Sequence, residues 1–189
     1  MELLFDFFED HVKAAAVVQR RRPLALGTLC FVLGALSWVV AMTVSGRLGP
    51  LPFNWVTLAF FLIWELGTGF ALVACLHLIS DMEGFQGRAA SLFVLFGLAN
   101  LVWALAVPVA LVFLAAFPRT SWPLTAAFLV VGFTNLSLKA RSLQDTYQVS
   151  SGRAWFTLIL PYLATVLVST LVLFLTMAGL FIQVMKGFG

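Results

Sequence analysis

Between Leu24 and Val184 the chain carries only ten charged residues. Nine of them fall in four short clusters: Arg47; Asp81, Glu83 and Arg88; Arg119; and Lys139, Arg141, Asp145 and Arg153. The tenth, Glu65, stands alone inside an apolar run. The stretches between clusters are long enough to cross a bilayer, which takes about 20 residues of helix. The composition is 62% hydrophobic and 10% charged, against about 45–50% and 25% in soluble domains. Lipid solvates such surface, provided that each segment satisfies its own backbone groups as a helix or a closed barrel. The runs are continuous and lack the two-residue alternation of barrel strands. The expected fold is therefore all-α: a polytopic helical membrane protein with five transmembrane helices and an N-terminal amphipathic interfacial helix. A cleavable signal peptide is not expected, because the first apolar run begins only after Arg20-Arg21-Arg22 and is too long for a signal core.

The five spans are expected at about residues 24–45, 52–80, 91–117, 122–138 and 155–184, within one bundle of residues 23–189 that follows a segment of residues 1–22. Arg47-Leu48-Gly49-Pro50-Leu51-Pro52 and Pro118-Arg119-Thr120-Ser121-Trp122-Pro123 read as helix-breaking turns. Lys and Arg in short loops set orientation. With the N-terminus inside, the inner segments hold Lys13, Arg20, Arg21, Arg22, Arg88, Lys139, Arg141 and Arg153. The outer ones hold Arg47, Arg119 and Lys186, so eight against three favours N-inside and C-outside. Trp38, Trp55, Trp122 and Trp155 suit interfacial anchoring, whereas Trp64 and Trp103 are expected to pack inside.

The first 19 residues form a separate element. Glu2, Asp6, Glu9, Asp10 and Lys13 recur at helical spacing, with Leu3, Leu4, Phe7, Phe8 and Val12 on the other side. That pattern predicts an amphipathic helix along the inner membrane surface. Two roles fit it, a cover for the bundle floor and a docking surface for a cytoplasmic partner.

Glu65 is the leading candidate for chemistry. It lies about halfway through the second span, where an ionised carboxylate is costly. No Lys or Arg is expected at that depth. Two readings stay open: interhelical pairing with groups such as Ser37, Asn100, Thr170 or a backbone carbonyl, and a proton or cation site. His77 precedes Asp81 by one helical turn, which predicts a helix-end pair. Gly67, Gly69 and Ala71, beside Thr68, form a small-residue face suited to close helix packing. Pro108 and Pro161 fall inside spans and should kink them. Cys30 and Cys75 read as buried small hydrophobes.

The sequence contains no G-x-S-x-G elbow, H-E-x-x-H or P-loop. No enzyme activity, metal or cofactor is expected, and the basic residues are explained by topology without nucleic acid.

Several segments together resemble the bacterial branch of the Yip family, the Ypt-interacting-protein type of five-span membrane proteins. They are Arg-Arg-Arg-Pro before the first span, Gly-Phe-Gln-Gly-Arg-Ala-Ala-Ser before the third, Leu-Ala-Val-Pro-Val within it, and Leu-x-x-Thr-Tyr-Gln-Val-Ser-Ser-Gly-Arg-Ala before the fifth. The Asp-Leu-Tyr-Gly-Pro segment and Gly-Tyr pair of eukaryotic members are absent; Tyr147 follows Thr146 and Tyr162 follows Pro161. The resemblance implies an N-inside five-helix protein of a bacterial inner membrane without enzymatic chemistry. The expected function is thus a scaffold, assembly factor or membrane-organising module, as a homo-oligomer or a subunit of a membrane complex. The alternative is a small transporter, channel or permease subunit that uses Glu65.

Overall fold

The computed structural model describes residues 2–21, 23–49, 54–117 and 122–187. Arg22, Arg119 and most of the two proline turns lie outside these residues, as do the side chains of Gln183 and Lys186. The order is α1 (Glu2–Glu9), α2 (His11–Arg21), α3 (Leu24–Val44), α4 (Trp55–Met82), α5 (Ala89–Asn100), a 3₁₀ turn (Leu101–Leu105), α6 (Ala106–Ala116), α7 (Trp122–Tyr147) and α8 (Ser151–Gly187). Among the described residues, five helices are long and apolar enough to span a membrane, the third being α5, the 3₁₀ turn and α6 in sequence. The chain is thus an all-helical, multi-pass membrane protein with a short helical element before the first span.

Two span ends differ from expectation. The fourth helix runs past Leu138 to Tyr147, because Lys139, Arg141 and Asp145 end the apolar run without breaking the helix. The fifth begins at Ser151, four residues before Trp155. Between them, Gln148 adopts a left-handed φ of 54°, and the Val149 amide donates to the Gln144 carbonyl at 3.3 Å. That six-to-one bond is a helix-ending motif that reverses the chain within a few residues. In the third span, Pro108 lacks the amide that would reach the Ala104 carbonyl, and its ring crowds that carbonyl. The helix tightens into the 3₁₀ turn just before it.

Packing separates a centre from a periphery. α3 lies along α5, the 3₁₀ turn and α6, while α7 packs on α5 and α6; α4 and α8 flank them. Close approach in the centre depends on glycine. A Cβ at Gly97 would run into the Gly27 backbone carbonyl, and one at Gly34 would lie 2.5 Å from the Asn100 carbonyl oxygen. Gly27, Gly34 and the buried Ala41 recur every seven residues along the buried stripe of α3. The expected packing face on α4 is only partly used. Gly69 meets the Phe31 ring, whereas a Cβ at Gly67 would touch nothing within 4 Å and Ala71 is exposed.

The N-terminal helices close the end of the bundle at which α3 and α5 begin. Asp10 hardly interrupts them, since its amide donates to Asp6 and its carbonyl accepts from Ala14. Phe7, Ala14, Ala15 and Val18 pack against Cys30, Val94, Leu95 and Leu98. Phe8 and Val12, read from the sequence as part of the same apolar side, are exposed together with Phe5. The cause is angular: neighbours on a helix point about 100° apart, so Phe7 and Phe8 cannot share a narrow contact stripe.

Candidate functional site

Glu65 lies ten residues into α4, about 15 Å along its axis and so near the middle of a ~30 Å apolar layer. Its Oε1 accepts a hydrogen bond from Asn100 Nδ2 at 3.1 Å. Asn135 Nδ2 on α7 in turn donates to the Ala99 carbonyl at 2.9 Å and to Asn100 Oδ1 at 3.4 Å. The Ala99 carbonyl already accepts a backbone amide where α5 passes into the 3₁₀ turn, so the Asn135 amide is a second donor on its other lone pair. Three helices are thereby cross-linked through α5.

Of the three side-chain partners proposed for Glu65, the structure brings only Asn100 to it. The Thr170 hydroxyl donates to the Val166 carbonyl of its own helix at 2.8 Å and is exposed on α8. Among the described residues Ser37 makes no hydrogen bond with the carboxylate. Asn135 of α7 is likewise a buried member of the network.

Sequence reading placed no cation beside Glu65; Lys139, one helical turn beyond Asn135 on α7, comes within its electrostatic reach. A helical side chain leans toward its helix's N-terminus, so Lys139 is carried back along α7 toward the middle of the bundle. Its Nζ stands 5.8 Å from the centre of the Phe96 ring, and the Glu65 carboxylate acts on it electrostatically. Tyr162 of α8 lies within the same electrostatic reach. A donated amide hydrogen and a nearby ammonium are the compensations that an intramembrane carboxylate needs.

Against this network lies a cleft of about 230 Å³ between α3 and α4. Glu65 and Asn100 supply its polar wall; Trp38, Phe61, Trp64 and Trp103 supply the aromatic ones. Trp38 meets Trp103 edge-on at 4.5 Å between ring centres and Phe128 at 5.4 Å, so it packs inside. Trp64, expected inside, is 60% exposed at the rim.

A second set of polar contacts joins the N-terminal helices to the bundle. His11 Nδ1 donates to Asp145 Oδ2 at 2.6 Å, and its Nε2 lies 3.3 Å from the Ser142 hydroxyl. Burial holds the His11 imidazole below its ordinary 6.5; the bond and charge of Asp145 pull upward without overcoming it, and Arg141 adds to the depression. His77 pairs with the Tyr147 hydroxyl at 2.7 Å, which replaces the expected His77–Asp81 pair. The reason is tertiary: the Tyr147 ring covers Gly87, where any Cβ would collide with it, and that seat holds its hydroxyl against α4. Arg153 pairs with Glu83 at 3.2 Å and lies over the Phe85 ring at 4.6 Å. Arg20 and Arg21, read as topology signals, end α2 with exposed side chains.

Among the described residues there is no group of three or more His, Cys, Asp or Glu that could hold a metal ion. Cys30 is buried and Cys75, expected to be buried, is exposed; both are free thiols. Compared with protein-family models, with curated proteins and with solved structures, the chain matches none.

Proposed function

We propose that this chain is a non-enzymatic integral membrane protein of the bacterial Yip type that acts as a scaffold, assembly factor or membrane-organising module. In this reading the N-terminal helices face the cytoplasm of a bacterial cell, and the protein works as a homo-oligomer or as a subunit of a larger membrane complex. The observation that carries it is the isolation of α8, exposed on every face from Tyr162 to Met177. An assembly would use this length as an arm, with lipid as the competing neighbour. The outward row of Phe5, Phe8 and Val12 offers a second contact surface for a cytoplasmic partner.

The test is a photo-crosslinking residue at Leu167 or Leu171, with the full chain in its membrane. Discrete protein adducts, either to a second copy or to one repeated partner, are expected. Adducts to lipid alone at both positions would end the assembly reading.

The aromatic cleft against Glu65 favours a second reading, a small transporter or permease subunit. It predicts that Glu65→Gln abolishes proton or cation flux into liposomes. Flux that is undiminished, or absent from the parent protein, would remove it.

A further inference from the structure

A larger cavity, of about 520 Å³, opens at the end of the bundle covered by α1 and α2, and no role has yet been given to it. Its polar lining comes from Gln19 and Arg20 on α2, Gln86 and Arg88 before α5, and Thr146 on α7. Two exposed arginines on separate elements thus border one space. Of the carboxylates on the flanking elements, Asp145 is paired with His11 and Glu83 with Arg153. Among the described residues neither Arg20 nor Arg88 has an ion pair or a hydrogen bond. Arg88 also precedes the first turn of α5 and gives it no side-chain cap, so free amides and the positive end of the helix add to the same field.

The depth of the cavity narrows the ligand. Arg20 lies four residues before α3 begins, and Arg88 immediately before α5. Both helices belong to spans, so the cavity sits where two spans enter the apolar layer, at the level of lipid headgroups. We infer that the cavity between Arg20 and Arg88 binds a phosphate group, that of an anionic phospholipid headgroup. A guanidinium presents paired donors that match phosphate oxygens. A phosphate bridging the two would satisfy both arginines and cancel their mutual repulsion, and the glutamine amides offer hydrogen bonds to the attached glycerol. This site is independent of the assembly and transport readings and holds if both fail.

The test uses the full chain in mixed phosphatidylglycerol and phosphatidylcholine nanodiscs, released for native mass spectrometry. One phosphatidylglycerol is expected to remain bound in preference to phosphatidylcholine. Arg20→Gln and Arg88→Gln should each reduce that retention about tenfold, the scale of one charge-assisted bond. Arg21→Gln is the control, since it removes the same charge from outside the cavity. Equal loss in the Arg21 variant, or retention indifferent to all three, would mean diffuse surface charge and would overturn the proposal. A second arm offers inorganic phosphate at millimolar concentration and follows melting in detergent. If free phosphate raises the melting temperature through Arg20 and Arg88 while no phosphatidylglycerol is retained, the phosphate site stands and the lipid source falls. Gln19→Glu provides a check that removes no charged contact. The added carboxylate should expel the ligand as the arginine variants do, with the lipid-free melting temperature unchanged, and failure to expel it counts against the site.

Discussion

α7 and α8 are consecutive helices joined by a three-residue turn, yet they stand at opposite extremes. In the most apolar stretch of α7, 39% of residues are buried; in that of α8, the more apolar helix, only 6% are. Their hydroxyl and amide groups behave as differently. On α7, Thr134 and Thr146 turn back to the carbonyl four residues earlier, but Asn135, Ser142 and Tyr147 reach other helices. On α8, Thr165, Thr170 and Thr176 each turn back to the carbonyl four residues earlier on the same helix. Lipid is as good a solvent for Leu as a neighbouring helix is, so apolarity does not recruit a helix into a bundle. Close backbone approach and polar cross-links do.

The sharpest way to break this contrast is to put bulk at a central glycine. Gly97→Leu drives a side chain into the Gly27 backbone and should cost about 3 kcal/mol or prevent folding. Gly67→Leu, whose Cβ meets nothing within 4 Å, should stay within about 0.5 kcal/mol. Reversible unfolding in mixed micelles compares the two, and equal losses would erase the distinction between centre and periphery. Next in size, Asn135→Leu removes the amide that ties α7 to the Ala99 carbonyl and should cost about 1–2 kcal/mol. Thr170→Val on α8 should be silent in the same assay.

A smaller effect is expected at the joint between the two helices. Gln148 holds a left-handed φ that glycine adopts freely, so Gln148→Gly should stabilise the fold by about 1 kcal/mol. A loss instead would credit the bond from Gln148 Nε2 to the Asp145 carbonyl at 2.8 Å. The last prediction is confined to the N-terminal helices. Because the folded pKa of His11 lies below 6.5, the unfolded chain binds a proton more readily than the docked one. Docking stability is therefore complete above pH 6.5 and declines as pH falls through the folded pKa. Protection factors over α1 and α2, with the intrinsic pH dependence of exchange divided out, should fall as pH drops from 7.5 to 5.5, while those of α5 and the middle of α7 hold. Protection over α1 and α2 that does not change with pH would mean that Asp145 outweighs burial at His11.

The five spans were legible because continuous apolar runs and charge clusters are one-dimensional signals. The Glu65–Asn100 bond was legible in part: an isolated carboxylate calls for a donor, but sequence could not rank Asn100 above Ser37 or Thr170 without knowing which helices touch. Gly67, Gly69 and Ala71 were chosen for their density, and the central contacts went to Gly27 and Gly34 instead. A readable signal existed there, the seven-residue spacing that Ala41 continues. Lys139 was read only as a mark of the membrane surface, so its electrostatic link to Glu65 was missed. The direction in which α7 runs carries its side chain inward, a fact that follows from helix geometry once the topology is known. Tyr147 could not have been assigned to His77, since their pairing spans 70 residues.

α8 also has a mechanical consequence. Its 37 residues make a rod of about 55 Å, against an apolar layer of about 30 Å. Among the residues of α8 whose side chains are described, the buried ones are Ala154, Thr157 and Leu158, all within the first turns. A rod gripped at one end is a lever, with Gln148 beside its fulcrum. A tilt of roughly 10° there would sweep the far end through about 10 Å, given the ~1.5 Å rise per residue. Bilayer thickness, or a neighbour holding the distant tip, would in this way exert torque on the α7–α8 joint and on the adjoining Tyr147–Gly87 contact.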